Sequence, residues 1–462
     1  MRPGLGLAAL LLLCACAQTP EEAPLEELVK ISETPPRAFE APKQEIRAPR
    51  PLARIDRTAP VDDVWQRIRL GFGMADLHDP LVAEKMASYM ARPDYLQRMF
   101  DRSRLYLCHV VEELEKRGMP TELALLPMVE SAYNPMAYSR AHASGLWQFI
   151  PGTGKRFELE QNWWYDARRD VVESTSAALD YLAKLYEMHG DWHLALASYN
   201  WGENAVGRAM AKNEAAGLPS DYASLTLPPE TRHYVPKLQA LKNIIANPGA
   251  LGVELGPIPN QPYFATVAKN RDIDVQLAAR LAEMPVADFM ALNPGFSRPI
   301  IRASVSPRIV LPADKVEVFH DNLEALGRKS LVTWKTYQPK RGENFESIAR
   351  KHGMTVGYLR EVNGVPPRQR AVPRLLVVPT HPAAAAKLPI MYAPPIPVAT
   401  RRIFHTVKKG ETLASIATVH KVSVEDLKRW NGVSQAVSGR TLAVEVRAAP
   451  SKGKPYKRKV SS

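Results

Sequence analysis

Apolar positions change their spacing several times along the chain, and each change marks a different kind of element. Residues 1–13 carry one charge, Arg2, before an apolar run ending at Leu13, too short for a permanent membrane span and of the kind found in secretory signals. Residues 61–252 follow helical spacing. A helix is expected over 95–117, with Leu96, Met99, Tyr106, Val110 and Leu114 on one side and Asp94 and Gln97 placed as a capping box. A second covers 174–188, with Ala178, Leu179, Leu182, Leu185 and Tyr186 as its apolar face, and turns at Gly190-Asp191 into a third over 192–199. Between them, Pro120 and Thr121 can start and cap a short helix that Leu123, Leu126, Met128 and Val129 bury.

Beyond residue 330 the spacing becomes strand, helix, helix, strand, over 333–337, 345–352, 355–362 and 375–378. The unit recurs at a constant offset of 68 residues: Gly342-Glu343-Asn344-Phe345 falls on Gly410-Glu411-Thr412-Leu413, and Asn363-Gly364-Val365 on Asn431-Gly432-Val433. A weaker copy of the two-helix part lies at 277–294, where Met284, Val286 and Asn293 match Met354, Val356 and Asn363, with 309–312 as its last strand. Its glycine-containing start is missing. At 462 residues the chain has room for several domains, and its forty prolines, about 9% against a usual 5%, gather at 20–60 and 379–397, which read as linkers.

Composition narrows the setting. Without the signal, Cys16 and Cys108 are the cysteines that remain. Cys108 and His109 point off different sides of a helix, a poor metal site. The net charge of +13 suits an acidic partner, and the densest basic run is the tail at 452–459. Export disfavours nucleic acid. Pro151-Gly152-Thr153-Gly154 reads as a turn without phosphate-loop spacing.

The candidate chemistry centres on Glu130. It arrives at the end of its short helix among apolar neighbours, where lost hydration raises a carboxyl toward a pKa useful for donating a proton at neutral pH. No Asp or Glu lies between Ser131 and Phe157, so the segment supplies one acid without a neighbouring partner. Gly145-Leu146-Trp147-Gln148-Phe149 follows, then Ala197-Ser198-Tyr199-Asn200-Trp201-Gly202, then Glu230-Thr231-Arg232-His233-Tyr234-Val235-Pro236. Gln148 offers both a donor and an acceptor, a missing side chain at Gly145 would let a ligand approach the backbone, and Trp147 would either stack on a ligand ring or fill the core.

In this order the motifs resemble the soluble-type lytic transglycosylases, with their E-S, G-L-x-Q, A-Y-N-x-G and later Tyr. His142, in a loop where small residues are usual, and Ser198, where Ala is usual, depart from the pattern. The resemblance implies a mainly α-helical, goose-type lysozyme-like catalytic domain over 120–252, fronted by helices over 61–119. It implies Glu130 as catalytic acid, substrate contacts at Ser131, Ser139, Gln148, Tyr199, Asn200 and Tyr234, and a Tyr199 hydroxyl that hydrogen-bonds Glu130. No metal or cofactor is implied. The reaction would be non-hydrolytic cleavage between N-acetylmuramic acid and N-acetylglucosamine, giving a 1,6-anhydro end, by an exotransglycosylase-type lyase with exo against endo cleavage left open.

The repeats at 332–380 and 401–447 resemble LysM modules, which bind N-acetylglucosamine-containing chains such as peptidoglycan, and 260–315 resembles a degenerate LysM-like unit. Leu13-Cys14-Ala15-Cys16 resembles a bacterial lipobox, which implies lipid on Cys16, hence no cysteine pair left for a disulfide, a membrane tether and, with Ala17 next, the periplasmic face of the outer membrane; Cys14 competes as the modified residue, and the Pro-rich, aromatic-poor composition of 17–60 reads as a flexible stalk. A linker at 381–400 and a basic tail at 448–462 complete the organisation, with a monomer expected. Two other readings stay open: a catalytically idle wall-binding scaffold, and a hydrolase whose second carboxylate, Asp166, Asp170 or Glu173, folds into the cleft.

Overall fold

The computed structural model describes residues 61–327, 329–381, 400–420, 422 and 424–447. The expected signal, lipobox and stalk at 1–60, nearly all of the 381–400 linker and the 448–462 tail lie outside the described residues.

Among the described residues up to 246 there are eleven α-helices: α1 (Val64–Leu70), α2 (Pro80–Met90), α3 (Pro93–Ser103), α4 (Leu107–Lys116), α5 (Leu126–Ser131), α6 (Pro151–Arg156), α7 (Val171–His189), α8 (Trp192–Trp201), α9 (Glu203–Ala215), α10 (Pro229–Arg232) and α11 (Tyr234–Ala246). The long expected helix over 95–117 is two helices, because the chain leaves helical geometry around Tyr106. The capping box does not form: α3 starts at Pro93 with Arg92 as an uncapped N-cap, and the Gln97 amide donates along the helix to Asp101 at 2.9 Å. Proline at the first helical position supplies the start. Thr121 caps nothing either. Its hydroxyl donates to the Ile68 carbonyl at 2.6 Å, and a 3-10 turn, Thr121–Leu125, precedes α5.

The centre of this half is α7, opened by Asp170, whose side chain accepts from the Glu173 amide at 2.8 Å, and closed by Gly190 at φ +66°. The left-handed glycine and the Asp191 cap of α8 together turn the chain back in two residues, so α7 and α8 pack side by side. Of the expected apolar face of α7, Tyr186 stays at the surface and stacks on Trp192 with ring centroids 4.3 Å apart. Pro151-Gly152-Thr153-Gly154, expected as a turn, instead opens α6, with proline again at the first position.

Three small units follow. β1 (Phe264–Ala268), β2 (Ile273–Asp274), α12 (Val275–Leu281), α13 (Val286–Leu292), β3 (Ile300–Ile301) and β4 (Arg308–Pro312) form the first, trailed by α14 (Val316–Leu326); β1 and β4 pair antiparallel, Phe264 opposite Pro312. The second is β5 (Trp334–Tyr337), α15 (Phe345–Lys351), α16 (Val356–Val362) and β6 (Leu376–Pro379), and the third β7 (Thr400–Thr406), α17 (Leu413–His420), α18 (Val424–Asn431) and β8 (Thr441–Arg447), each with its outer strands paired antiparallel.

One asparagine repeats in all three. Asn363 donates to the Leu359 and Val377 carbonyls and accepts from the Val377 amide at 2.6 Å, tying the end of the second helix to the last strand. Asn431 does the same with Leu427 and Ala443, and Asn293 with Phe289 and Val310. The weak copy is therefore built on the same plan as the two clear ones, although it lacks their glycine start.

The second unit is seated on what precedes it. Trp163 and Trp164 pack against its core, the Arg298 guanidinium lies 4.4 Å from the Trp163 ring centre, and Asp274 accepts from the Thr333 amide and hydroxyl at 2.6 Å each.

Asn363→Ala deletes three buried hydrogen bonds and is expected to cost the second unit about 2–4 kcal/mol. Hydrogen exchange should show faster amides across 332–380 while those of α7 and α8 keep their wild-type protection.

Candidate active site

Glu130 is the penultimate residue of α5, which has only six residues and needs its surroundings to persist. Leu126, Pro127 and Met128 are buried, and directly after the helix Ala132 and Tyr133 both take left-handed backbone, φ +51° and +53°. That reversal ends the helix at the acid. The strain in two non-glycine residues is offset by the burial of Tyr133, whose hydroxyl donates to the Ala124 carbonyl at 2.7 Å. Ser131 reaches the Leu146 carbonyl at 2.9 Å and the Pro127 carbonyl at 3.1 Å. Its hydroxyl is spent on backbone, and Ser131 is not among the residues that line the cleft.

The loop at 137–149 forms the next wall. Gly145 sits at φ +85°, and a Cβ there would lie 2.0 Å from the Arg168 carbonyl oxygen. The bare glycine thus admits Arg168 backbone; it is not there to admit a sugar, which corrects the expectation from sequence. Arg168 is buried, makes a bidentate ion pair with Asp166 at 2.9 and 2.7 Å, and donates to the carbonyls of His142 at 2.7 Å and Phe149 at 3.1 Å. The His142 ring turns outward, where Nδ1 meets the Tyr138 hydroxyl at 2.8 Å. Trp147 is 0% exposed with its indole N–H on Thr175 Oγ1 at 3.0 Å, so it fills the core. Gln148, at φ +48°, lines the cleft and anchors its amide nitrogen on the Gly145 carbonyl at 2.8 Å. Ser139 also lines the cleft, its hydroxyl accepting from the Ala143 amide at 3.0 Å.

The third wall comes from α8, α9 and α10, with α11 packed behind Glu130. Tyr199 does not bond Glu130: its hydroxyl is captured by the Trp147 carbonyl at 2.9 Å. The tyrosine that donates to Glu130 Oε1 is Tyr234, buried at the first position of α11. Asn200 lines the cleft and its side-chain oxygen accepts from Thr231 at 2.8 Å, which fixes the amide's orientation. Glu130, Ser139, Gln148, Tyr199 and Asn200 line one cleft of about 730 Å³; Tyr234 is not among its lining residues and meets the site through Glu130.

Burial pushes the Glu130 carboxyl up to about 7, the Tyr234 hydrogen bond and the charge of Lys237 pull it down, and the charge of Glu230 adds to the rise. At neutral pH the group is poised between its two forms. The carboxylates weighed as partners are elsewhere: Asp166 pairs with Arg168, Asp170 caps α7 and accepts from the Tyr165 hydroxyl, and Glu173 pairs with Arg308. Two others that the motif reading passed over do line the cleft, Glu203 and Glu230. Burial would raise Glu203, but Arg156 at 2.6 Å and the Tyr181 hydroxyl at 2.8 Å outweigh it and hold the carboxyl below its usual range. Both glutamates stand inside or beside the quoted motifs, one residue after Gly202 and four before Tyr234.

The Transglycosylase SLT domain model matches residues 109–218, the "Lytic transglycosylase MltD, LysM-like domain" model 263–328, and the LysM domain model 337–369 and 405–442. Membrane-bound lytic murein transglycosylase D of Escherichia coli (strain K12) is 33% identical over 384 residues, covering 81% of this chain and 83% of that one. The chain belongs to the family of membrane-bound lytic murein transglycosylase D. A protein of Alteromonas sp. (strain M-1) named for tributyltin chloride resistance is 48% identical over 120 residues, 25% of this chain and 58% of that one. The transglycosylase thus consists of a lysozyme-like SLT domain followed by LysM modules, as its sequence implied. Tyr234, the direct partner of the candidate acid, lies outside the matched SLT stretch.

In this transglycosylase Tyr234→Phe removes a donor that favours the ionised carboxyl, so the Glu130 pKa should rise from its wild-type value of about 7. A pH profile of kcat/KM is expected to show its basic limb, where the acid form is lost, displaced to higher pH than in the wild type, with a lower maximum because the carboxyl is no longer held.

Proposed function

We propose that the chain is a peptidoglycan lytic transglycosylase that breaks the β-1,4 bond between N-acetylmuramic acid and N-acetylglucosamine, with Glu130 serving as acid and then as base. The observation that carries this is the Glu130 carboxyl, desolvated at the cleft and poised near 7, with Tyr234 holding one oxygen. Most glycosidases divide acid and base or nucleophile between two carboxyl groups. Here one suffices. Protonated Glu130 gives its proton to the glycosidic oxygen as the bond to the anomeric carbon breaks; the resulting carboxylate accepts the proton of the muramic acid 6-hydroxyl, whose oxygen closes on the same anomeric carbon. No water is added, and an attack from within the ring lowers the barrier by several kcal/mol relative to an ordered second molecule.

Ser139, Gln148 and Asn200 are assigned to substrate contact from the cleft walls, with Tyr199 and Tyr234 as supports and Ser131 as a brace of the Leu146 turn. The LysM modules hold N-acetylglucosamine units of the glycan strand. No helix among the described residues is long and apolar enough to cross a membrane, and lipid on Cys16 would hold the monomeric chain at the outer membrane, facing the wall.

Mass spectrometry of products released from purified sacculi by the chain lacking residues 1–16 tests the chemistry. Anhydro-muropeptides, lighter by one water than reducing-end species and absent with Glu130→Gln, are expected. Reducing-end products would make it a hydrolase, with Glu230 the carboxylate to examine, and binding without release by either form would leave a scaffold. Cys16→Ala is expected to move the chain from the membrane pellet to the soluble fraction, and its retention in the pellet would count against the lipid anchor.

A further inference from the structure

The second and third units share one plan but differ at the contact that joins the first strand to the end of the first helix. In the second unit the Tyr337 hydroxyl of β5 donates to Glu343 at 2.6 Å, the Lys351 ammonium pairs with that carboxylate at 3.2 Å, and the His352 ring stands edge-on to Tyr337, centroids 5.0 Å apart. At the offset of 68, the third unit has His405 for Tyr337, Glu411 for Glu343, Val419 for Lys351 and His420 for His352. There His405 Nε2 meets Glu411 Oε2 at 2.8 Å and His405 Nδ1 meets His420 Nε2 at 3.0 Å, so two imidazoles and a carboxylate join β7, the turn after it and the last residue of α17. The same Glu411 oxygen accepts from the Lys408 amide at 2.8 Å, which closes that turn. Among the described residues, β8 sets the apolar Leu442 opposite His405, and Lys408 is the cation whose charge acts on Glu411 besides His405.

The gap between the two imidazoles has room for one proton. With both rings neutral, His405 donates from Nε2 to Glu411 and accepts at Nδ1 from His420; after one proton is taken up, His405 is a cation that donates from both nitrogens, to Glu411 and to a neutral His420. A second proton sets two N–H groups face to face and two cations beside one carboxylate, and the hydrogen bond between the rings is lost. We propose that His405, His420 and Glu411 form an acid-opened latch: at neutral pH they fasten the end of α17 to β7, and on acidification they part, loosening the third unit and its hold on a glycan strand while the second unit stays closed. The glycan half of this rests on the reading of the LysM modules as glycan binders; the opening does not. Burial, and then the charge of His405, hold His420 below the ordinary histidine range, with Glu411 opposing. The unfolded segment therefore takes up this proton at higher pH than the folded one, and stability is lost as the pH falls below about 6.5. His352 is also held down by burial, but it faces a phenol ring, and the contacts among Tyr337, Glu343 and Lys351 use neither of its ring nitrogens.

The test is hydrogen exchange of the full-length chain at about pH 7.5 and about pH 5, corrected for intrinsic exchange rates, with and without an N-acetylglucosamine oligomer. Peptides from 400–447 are expected to lose protection about tenfold on acidification relative to those from 332–380. His405→Tyr, which installs the residue of the second unit, should remove most of that loss. His420→Gln keeps a donor for His405 Nδ1 without a second charge and should do the same, so the comparison survives if one variant fails to fold. Unchanged protection of the wild-type third unit at the lower pH overturns the latch, as does a wild-type loss that a folded variant retains in full. The oligomer is expected to protect the third unit at the higher pH and to do so less at the lower. Equal protection at both, with the latch open in acid, overturns its link to glycan; no protection at either removes the glycan reading of this module and leaves the latch standing on the exchange data alone.

Discussion

Keeping one carboxyl away from water at the end of a six-residue helix is the demand on which the catalytic half of this transglycosylase depends. A helix so short has no stability of its own, and a carboxyl so placed disfavours the ionised fold. The compensation comes from neighbours of the helix. One turn earlier, the buried Glu122 accepts from the amides of Gly73 and Met74 and pairs with Lys242 of α11, so that a loop and a distant helix are bound to the start of the acid's segment. At the other end Ser131 and Tyr133 fasten the reversal to Leu146 and Ala124. Because Tyr234 opens α11 and Lys242 lies further along it, one helix both props the segment and supplies the acid's hydrogen-bond partner.

Much of this was legible in the sequence, and what was not has a common cause. Helical spacing, the turn at Gly190-Asp191 and the strand-helix-helix-strand repeat are local properties, and the elements lie within a few residues of where spacing put them. The expected environment of Glu130 also depended mostly on its immediate apolar neighbours. The failures concern long-range partners. Tyr199 and Tyr234 are equally good donors on paper, and only packing decides that the Trp147 carbonyl takes the first and Glu130 the second. Thr121 is a fair capping residue that a carbonyl more than fifty positions away claims instead. Glu203 and Glu230 sat in plain view in or beside the motifs, but chain proximity to a motif does not say which side chains face the cleft.

The three small units show how little sequence is needed to keep a fold. The first has lost the glycine start that makes the other two recognisable, yet Asn293 retains the three-way bonding of Asn363 and Asn431. A side-chain amide that imitates a peptide group can join a helix end to a strand from within the core, where no backbone group is free to do so. The surface around it can then change without unpicking the unit.

Gly145 alters where variation in this cleft can arise. With the Arg168 backbone filling the space a Cβ would need, and Arg168 in turn fixed to Asp166, His142 and Phe149, that corner is a welded joint between two chain segments. A joint of that kind cannot be reshaped by small steps, since the first added carbon already collides. Adaptation to a wall of different chemistry, by evolution or by an engineer, is therefore channelled away from that corner to positions such as Gly152 of α6, which lines the cleft and where an added Cβ would meet nothing within 4 Å, so that a side chain can be introduced, enlarged or recharged in small steps.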